Sequence, residues 1–235
     1  MAEFTAEDET GALKSTVHSP PVRAVLDRLH AEAGQQTLRF VGLGVAMARD
    51  KLLGQARSVP HEVERLRDLY VPVSRKQGEL LYLVARSLRA KRIVEFGTSF
   101  GISTTYLAAA VKDNGGGVVI GSELEPNKVA TARRNLEEAG LSELVEIREG
   151  DAQETLRDPG GTIDMVLLDG FKSLYLSMLK MLTPHLRQGA VVLGDNIFTF
   201  RRALAPYVSF VQNPDNGFFS VTLFLGDGTE YSVRL

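Results

Sequence analysis

From Lys91 onward the chain alternates short β-branched runs with amphipathic stretches of helix length, the sign of a parallel sheet covered by helices on both faces. The strand candidates are RIVEF at 92–96, VVIGS at 118–122, VEIRE at 145–149, DMVLL at 164–168 and AVVLG at 190–194. Between them, Ser103–Ala110, Pro126–Ala139 and Phe171–Leu182 have the apolar spacing of crossover helices. Two more strands, FFSVTLFL at 218–225 and EYSVRL at 230–235, are joined only by Gly226, Asp227, Gly228 and Thr229. So short a joint makes an antiparallel hairpin, because parallel neighbours need a crossover. The expected fold is α/β, a seven-stranded mixed sheet of five parallel-type strands plus a C-terminal antiparallel hairpin. That hairpin sets it apart from an ordinary dinucleotide-binding fold.

The sheet is preceded by two regions of different character. Residues 1–19 are polar, acidic and without periodicity, and read as a flexible tail. Residues 20–70 read as an N-terminal helical extension. In PPVRAVLDRLHAEAG the apolar Val22, Val25, Leu26 and Leu29 fall on one helix face, and Gly34 ends the run. Helical patches follow at Leu38–Leu53 and Pro60–Leu69, and the helix Arg75–Arg89 belongs to the main domain, 71–235.

Composition removes several classes of function. With 27 basic and 29 acidic residues the formal charge is −2, and 44% of residues are hydrophobic, which argues against a disordered chain or a strongly basic nucleic-acid binder. There is no cysteine, so disulfides, thiolate zinc sites and a cysteine nucleophile are excluded. His18, His30, His61 and His185 lack metal-ligand spacing. Apolar stretches fall short of the ~18 residues of a membrane helix, and the opening MAEFTAEDETGALK is acidic where a signal peptide is basic and then apolar. A cytoplasmic location without membrane contact is expected.

The segment IVEFGTSFGIST puts Glu95, Gly97 and Gly101 between the first strand and the following helix. Glycines there let the backbone approach a ligand, and the free N–H groups of the helix face the crevice. The spacing E-x-G-x-x-x-G is not the dinucleotide G-x-G-x-x-G, and a carboxylate before the loop suits a cationic or zwitterionic ligand better than a pyrophosphate. Glu123, in SELEP at the end of the second strand, can accept both hydroxyls of a ribose, which points to adenosine. After the third strand, Asp151 and Gln153 of EGDAQE can reach the adenine amino group. The alternative is a tight strand-to-helix turn with no ligand.

The fourth strand ends in LLDGFKSLY and the fifth in VLGDNIF, gathering Asp169, Lys172, Asp195 and Asn196 at the same edge. Two carboxylates and an amide oxygen are hard ligands that leave about three of six octahedral positions open, which suits magnesium rather than zinc. The bland alternatives are a helix cap at Asp169, an Asx turn at Asp195 and Asn196, and a solvated Lys172.

These residues resemble the class I S-adenosylmethionine-dependent methyltransferases and, within them, the metal-dependent catechol and caffeoyl-CoA type O-methyltransferases. The resemblance runs from about Val71 to the C-terminus, and is carried by VEFGTSFGIST, SELEP, LLDGFKSLY and GDN. It implies a Rossmann-like fold with S-adenosylmethionine and Mg2+, or another divalent cation, as cofactors. By this resemblance Glu95, Gly97 and Ser103 hold the methionine end of the cofactor and Glu123 the ribose. Asp151, Ala152 and Gln153 surround the adenine, and Val73 and Ser74 of YVPVSRKQGELL line the cofactor. Asp169, Asp195 and Asn196 carry the ion, with Asp169 also bordering the cofactor, and Lys172 is the base. The implied substrate is a small phenolic, catechol-like or other vicinal-diol acceptor, and the N-terminal part covers it and contributes to homodimer contacts.

Methyl transfer to oxygen needs an ionised oxygen in line with the methyl and about 3 Å from it, so a phenol titrating near 10 must be activated. This chain departs from the family pattern at Gly170, where a bulky or imidazole residue is common. The short stretch before the last hairpin offers Asp215 in place of an additional acid, and Phe171 is either an aromatic wall over the cofactor or a core residue. Competing readings are methylation of a hydroxylated tRNA base, an NAD-dependent oxidoreductase on the same sheet edge, and a binding module without catalysis. The missing central glycine with Glu95 disfavours the oxidoreductase, and the clustered Asp169, Lys172, Asp195 and Asn196 disfavour the binding module.

Overall fold

The computed structural model describes residues 15–34 and 73–235. The helical patches expected at 38–53 and 60–69 lie outside the described residues. Helix α1 covers residues 20–34. It is followed by α2 (Arg75–Ser87), β1 (Arg92–Phe96), α3 (Ile102–Asp113), β2 (Val118–Glu123), α4 (Pro126–Glu138) and β3 (Val145–Glu149). Then come α5 (Ala152–Thr155), β4 (Ile163–Leu168), α6 (Tyr175–Leu182), β5 (Leu186–Gly194), α7 (Arg201–Val211), β6 (Phe218–Leu223) and β7 (Thr229–Arg234).

The seven strands form one sheet in the order β3-β2-β1-β4-β5-β7-β6. The first five are parallel, and β7 inserts antiparallel between β5 and β6, as the mixed sheet with a terminal hairpin required. Alternation along the central strands divides the core into two layers. Ile93, Val119, Met165, Leu167, Val191 and Leu193 face α1 to α4. Val94, Ile120, Val166, Leu168 and Val192 face the layer that includes α6 and α7. No helix among the described residues is long and apolar enough to cross a membrane.

The local chemistry sets where the helices begin. Ser74 caps α2 in a reciprocal capping box with Gln77. Pro126 opens α4, and the Glu125 carboxylate accepts from the Lys128 N–H at 3.0 Å. On α1, Val22, Val25, Leu26 and Leu29 are all buried, the face that their spacing predicts. The same helix supports the glycine loop from behind. Arg28 donates to Asn135 at 3.1 Å and pairs with Glu138, and Asn135 in turn donates to the Phe100 carbonyl at 2.9 Å.

The stretch read as a flexible tail is docked in its last residues. Thr16–His18 form a 3₁₀ turn with Val17 buried. The Thr16 N–H donates to Asp113 Oδ2 at 2.9 Å, and the Tyr82 hydroxyl donates to the same oxygen at 2.6 Å. One carboxylate on α3 therefore anchors both, a contact 97 residues away in sequence that no local pattern announces.

Candidate active site

The carboxyl ends of the parallel strands form two adjacent crevices. In the first, Glu95 of β1 is fully buried. The Thr104 hydroxyl donates to its Oε2 at 2.5 Å, and the hydroxyls of Ser103 and Thr98 also bear on the carboxylate. Oε1 has no hydrogen-bond partner among the described residues. Burial pushes the pKa of Glu95 above the usual 4.5, against the opposing effect of the hydroxyls. A buried carboxylate with one unpaired oxygen suits a positively charged ligand group.

Gly97 and Gly101 adopt positive φ, 99° and 86°, and a Cβ at Gly97 would lie 2.7 Å from the carbonyl oxygen of Asp169. Both the conformation and the close approach of β1's exit to β4's exit thus require glycine. Between them Ser99 also has positive φ, 49°. Its N–H donates to Glu123 Oε2 at 2.8 Å, while the Glu125 N–H donates to Oε1 at 3.0 Å. Glu123 therefore clasps the glycine loop to the end of β2 and keeps lone pairs for a ligand's hydroxyls. Asp151 caps α5, accepting from the Gln153 N–H at 2.8 Å. Asp151 and Gln153 are exposed and Ala152 is buried.

The second crevice lies where β4 and β5 end side by side. Leu168 pairs with Gly194, and the next residue of each strand is an aspartate. The Asp169 N–H donates to the Phe96 carbonyl at 2.9 Å and the Asp195 N–H to the Leu168 carbonyl at 3.0 Å. These bonds continue the sheet by one residue and bring the two acids close enough for the charge of Asp169 to act on Asp195. Neither bland reading holds for the acids: Asp169 caps no helix, and Asp195 accepts from distant side chains. Gln77 Nε2 donates to Asp195 Oδ1 at 2.6 Å, with the Thr229 hydroxyl at 3.5 Å. Burial and the charge of Asp169 push Asp195 up to about 7. Asp169 is raised too, by burial, although Lys172 opposes the shift.

Asn196 follows in a left-handed conformation, φ 64°, with its Oδ1 buried and unpartnered among the described residues. Asp195, buried, and Asp169, with its side chain 9% exposed and its charge opposing that of Asp195, stand beside an orphaned amide oxygen and form a set of hard oxygen donors that fits a divalent cation. Lys172 closes the group. Its Nζ donates to Asp169 Oδ1 at 3.0 Å and to the Tyr175 hydroxyl at 2.8 Å, so it is not a solvated lysine. Tyr175 is fully buried and donates in turn to the Asp195 carbonyl at 3.2 Å.

Around this polar floor stands an apolar rim. Phe198, Phe200 and Phe224 are exposed, Phe198 and Phe224 have ring centroids 5.2 Å apart, and Lys172 Nζ lies 5.7 Å from the Phe200 ring. Phe171 is 48% exposed, which removes core packing from its two readings. Gly170 has a physical cause: a Cβ there would come within 2.5 Å of the Phe96 ring, so Phe96 fills the space that a larger residue would need.

Asp215 is not part of the site. It sits in the turn Pro214–Asn216 ahead of Phe218, which pairs with Arg234, whereas Gly194 pairs with Glu230 at the other end of β7. Asp215, which the sequence offered but did not favour as a replacement for the additional acid, does not take its place. Because β7 inserts between β5 and β6, the β6–β7 turn lies at the site, and the charge of Asp227 bears on Asp195 in addition to the larger effect of Asp169. Val73 is buried and, with Gln77, Leu81, Asp195 and Thr229, lines a small gap beside Asp195. Gln77, Tyr175 and Asp227 are site residues that the sequence did not single out.

The chain matches a family profile described as a methyltransferase domain over residues 94–197. It is 34% identical over 131 residues to a catechol O-methyltransferase of Niastella koreensis, covering 54% of this chain and 58% of that relative. The chain thus spans little more than half the length of that relative. To the catechol O-methyltransferase of Sus scrofa it is 30% identical over 132 residues, covering 53% of this chain and 70% of the relative. Among solved structures, the O-methyltransferase TomG from Streptomyces achromogenes, in complex with S-adenosylmethionine, superposes with a TM-score of 0.65. It is 26% identical, covering 81% of this chain and 96% of that one. The glycine loop, the clasp at Glu123 and the paired aspartates stand within or beside the matched segments, and the chain belongs to the S-adenosylmethionine-dependent O-methyltransferases of the catechol and caffeoyl-CoA type.

Proposed function

We propose that this protein transfers the methyl group of S-adenosylmethionine to one hydroxyl of a small catechol-like or other vicinal-diol acceptor, with a divalent cation such as Mg2+ at Asp169, Asp195 and Asn196. The observation that carries the reading is the pair of carboxylates, Asp195 buried and Asp169 largely so, at the ends of adjacent strands, with the unpartnered Asn196 oxygen and Lys172 beside them. Glu95 receives the ammonium of the cofactor and Glu123 its ribose hydroxyls, while Asp151, Ala152 and Gln153 border the adenine. Val73 and Ser74 flank the cofactor from the start of α2.

When bound, the ion supplies Lewis acidity to the acceptor oxygens and the sulfonium supplies an electrophilic methyl. The chain's own residues do the rest. Lys172 Nζ, as the neutral amine after releasing its own proton to solvent, would take the proton of the reacting hydroxyl and become the ammonium, held in place by Asp169 and Tyr175. Phe198 and Phe200 give a planar ring apolar surface beside the polar floor and keep water from it.

The test is a mass-spectrometric screen of phenolic diols with isotopically labelled cofactor, with Mg2+ and with a chelator. Labelled monomethyl ethers that form with Mg2+ and vanish in the chelator are expected. Undiminished turnover in the chelator would overturn the role of the ion, and a methylated RNA product without turnover of any diol would overturn the substrate class.

A further inference from the structure

One buried side chain reaches the proposed ion site from outside the strand ends. Gln77 stands on the first turn of α2, 118 residues from Asp195, and is 7% exposed. Its Oε1 accepts from both the backbone N–H of Ser74, at 3.0 Å, and the Ser74 hydroxyl, at 2.9 Å. Its Nε2 donates to Asp195 Oδ1 at 2.6 Å. Chemistry fixes which way this amide faces. A backbone N–H only donates, so the oxygen must face Ser74, and a carboxylate accepts, so the NH2 must face Asp195.

No other side chain of this length serves both ends. Glutamate would set a second carboxylate against Asp195, lysine cannot accept from the Ser74 N–H, and methionine does neither. The amide is also held by its surroundings. A Cβ on Gly226, in the β6–β7 turn, would come within 2.3 Å of it, and Gly78 packs so closely on Tyr106 that a Cβ there would lie 2.2 Å from the ring. Helix α2 is thereby pressed inward, with the glutamine clamped between its own cap and the ion site.

We propose that Gln77 is a positioning residue for the divalent cation: pinned by the cap at Ser74, it occupies Asp195 Oδ1 and fixes the carboxylate so that Oδ2 is presented to the ion. The inference rests on the reading of Asp195 as an ion ligand given above. Partners that orient a ligating carboxylate affect metal affinity by about 10- to 100-fold when removed. A glutamine that served only as part of a helix cap would affect folding and leave ion affinity unchanged.

The experiment is Mn2+ binding to the full chain, followed by the loss of the free-ion electron paramagnetic resonance signal, with thermal unfolding by circular dichroism as the measure of folded protein for every variant. Gln77→Met is expected to weaken Mn2+ about 10- to 100-fold while the metal-free protein remains folded by that measure. Ser74→Ala, which keeps Gln77 but removes the hydroxyl that helps pin it, is expected to weaken Mn2+ by a few-fold without touching Asp195, and decides the matter if Gln77→Met does not fold. Equal Mn2+ affinity in wild type and in the folded variant tested would overturn the role of Gln77 alone. Failure of the wild type to bind Mn2+ at millimolar concentration would overturn the reading of Asp195 as a ligand, and the inference with it.

Discussion

Lys172, in the 3₁₀ turn that leads into α6, and Tyr175, the first residue of that helix, stand three residues apart, and the lysine side chain donates to the tyrosine hydroxyl at 2.8 Å while that hydroxyl donates onward to the Asp195 carbonyl at 3.2 Å. The proposed base is thus tied to the main chain at the proposed ion site through one buried phenol. Its ring makes edge contacts with Phe96 and Tyr207, which Phe would retain. Tyr175→Phe should lower kcat about tenfold, the size of one hydrogen bond to a charged group, with little change in KM for the acceptor. Lys172→Ala should lower it by ~10² to 10⁴. Steady-state kinetics on whichever diol the screen identifies separates the two, and an unchanged kcat in Tyr175→Phe would show that Asp169 alone orients the lysine.

How much of this was legible in the chain follows from the range of each contact. The strand ends carrying Glu95, Glu123, Asp169 and Asp195 could be read because β-branched runs locate strands and ligands of open α/β sheets gather at their carboxyl edge. Gln77 could not, because its partner is 118 residues distant and a polar residue on a helix looks solvated until the sheet is assembled. Asp215 and Asp227 exchange places for a topological reason. Had β6 been the neighbour of β5, its start would lie at the site; with β7 inserted, the turn after β6 lies there instead. A sequence reveals a hairpin without saying which of its strands pairs with the sheet.

Glu123 clasps the glycine loop and, in the proposed reading, also holds the cofactor ribose, and its removal should test both. Glu123→Ala leaves the N–H groups of Ser99 and Glu125 without this acceptor in a loop where Ser99 already has φ 49°. Loss of stability on the order of 1 kcal/mol, seen as a fall of a few degrees in Tm, should accompany at least a tenfold weaker binding of S-adenosylhomocysteine. Calorimetry that finds the affinity intact would remove Glu123 from the ribose site.

Gly170 and Phe96 form a matched pair. Gly170→Ala should destabilise the fold by about 1 to 3 kcal/mol, because its Cβ would meet the Phe96 ring at 2.5 Å. In the double variant with Phe96→Leu the cost should be smaller than the sum of the single changes, since the shorter side chain vacates the contact. Chemical denaturation of the four proteins gives the coupling, and strict additivity would mean that the backbone after β4 shifts away from Phe96 instead.

The buried carboxyl of Glu95 makes the cofactor-free protein sensitive to pH in a direction that can be worked out. Burial raises its folded pKa above the ordinary 4.5, so between that value and the raised one the native state holds a proton that the unfolded chain has released. Stability from this group is fully present below the ordinary glutamate range and is lost as pH rises through the raised value. Asp195, pushed up to about 7, contributes a loss of the same sign. Thermal unfolding between pH 5 and 8, without metal or cofactor, should therefore show Tm falling with pH. Glu95→Gln, which does not titrate, should fall less steeply. Saturating S-adenosylhomocysteine should reduce the difference between the two proteins, because an ammonium against Glu95 favours its charged form. Parallel pH profiles for wild type and Glu95→Gln would mean that the hydroxyls of Thr104, Ser103 and Thr98 already hold the buried carboxylate ionised.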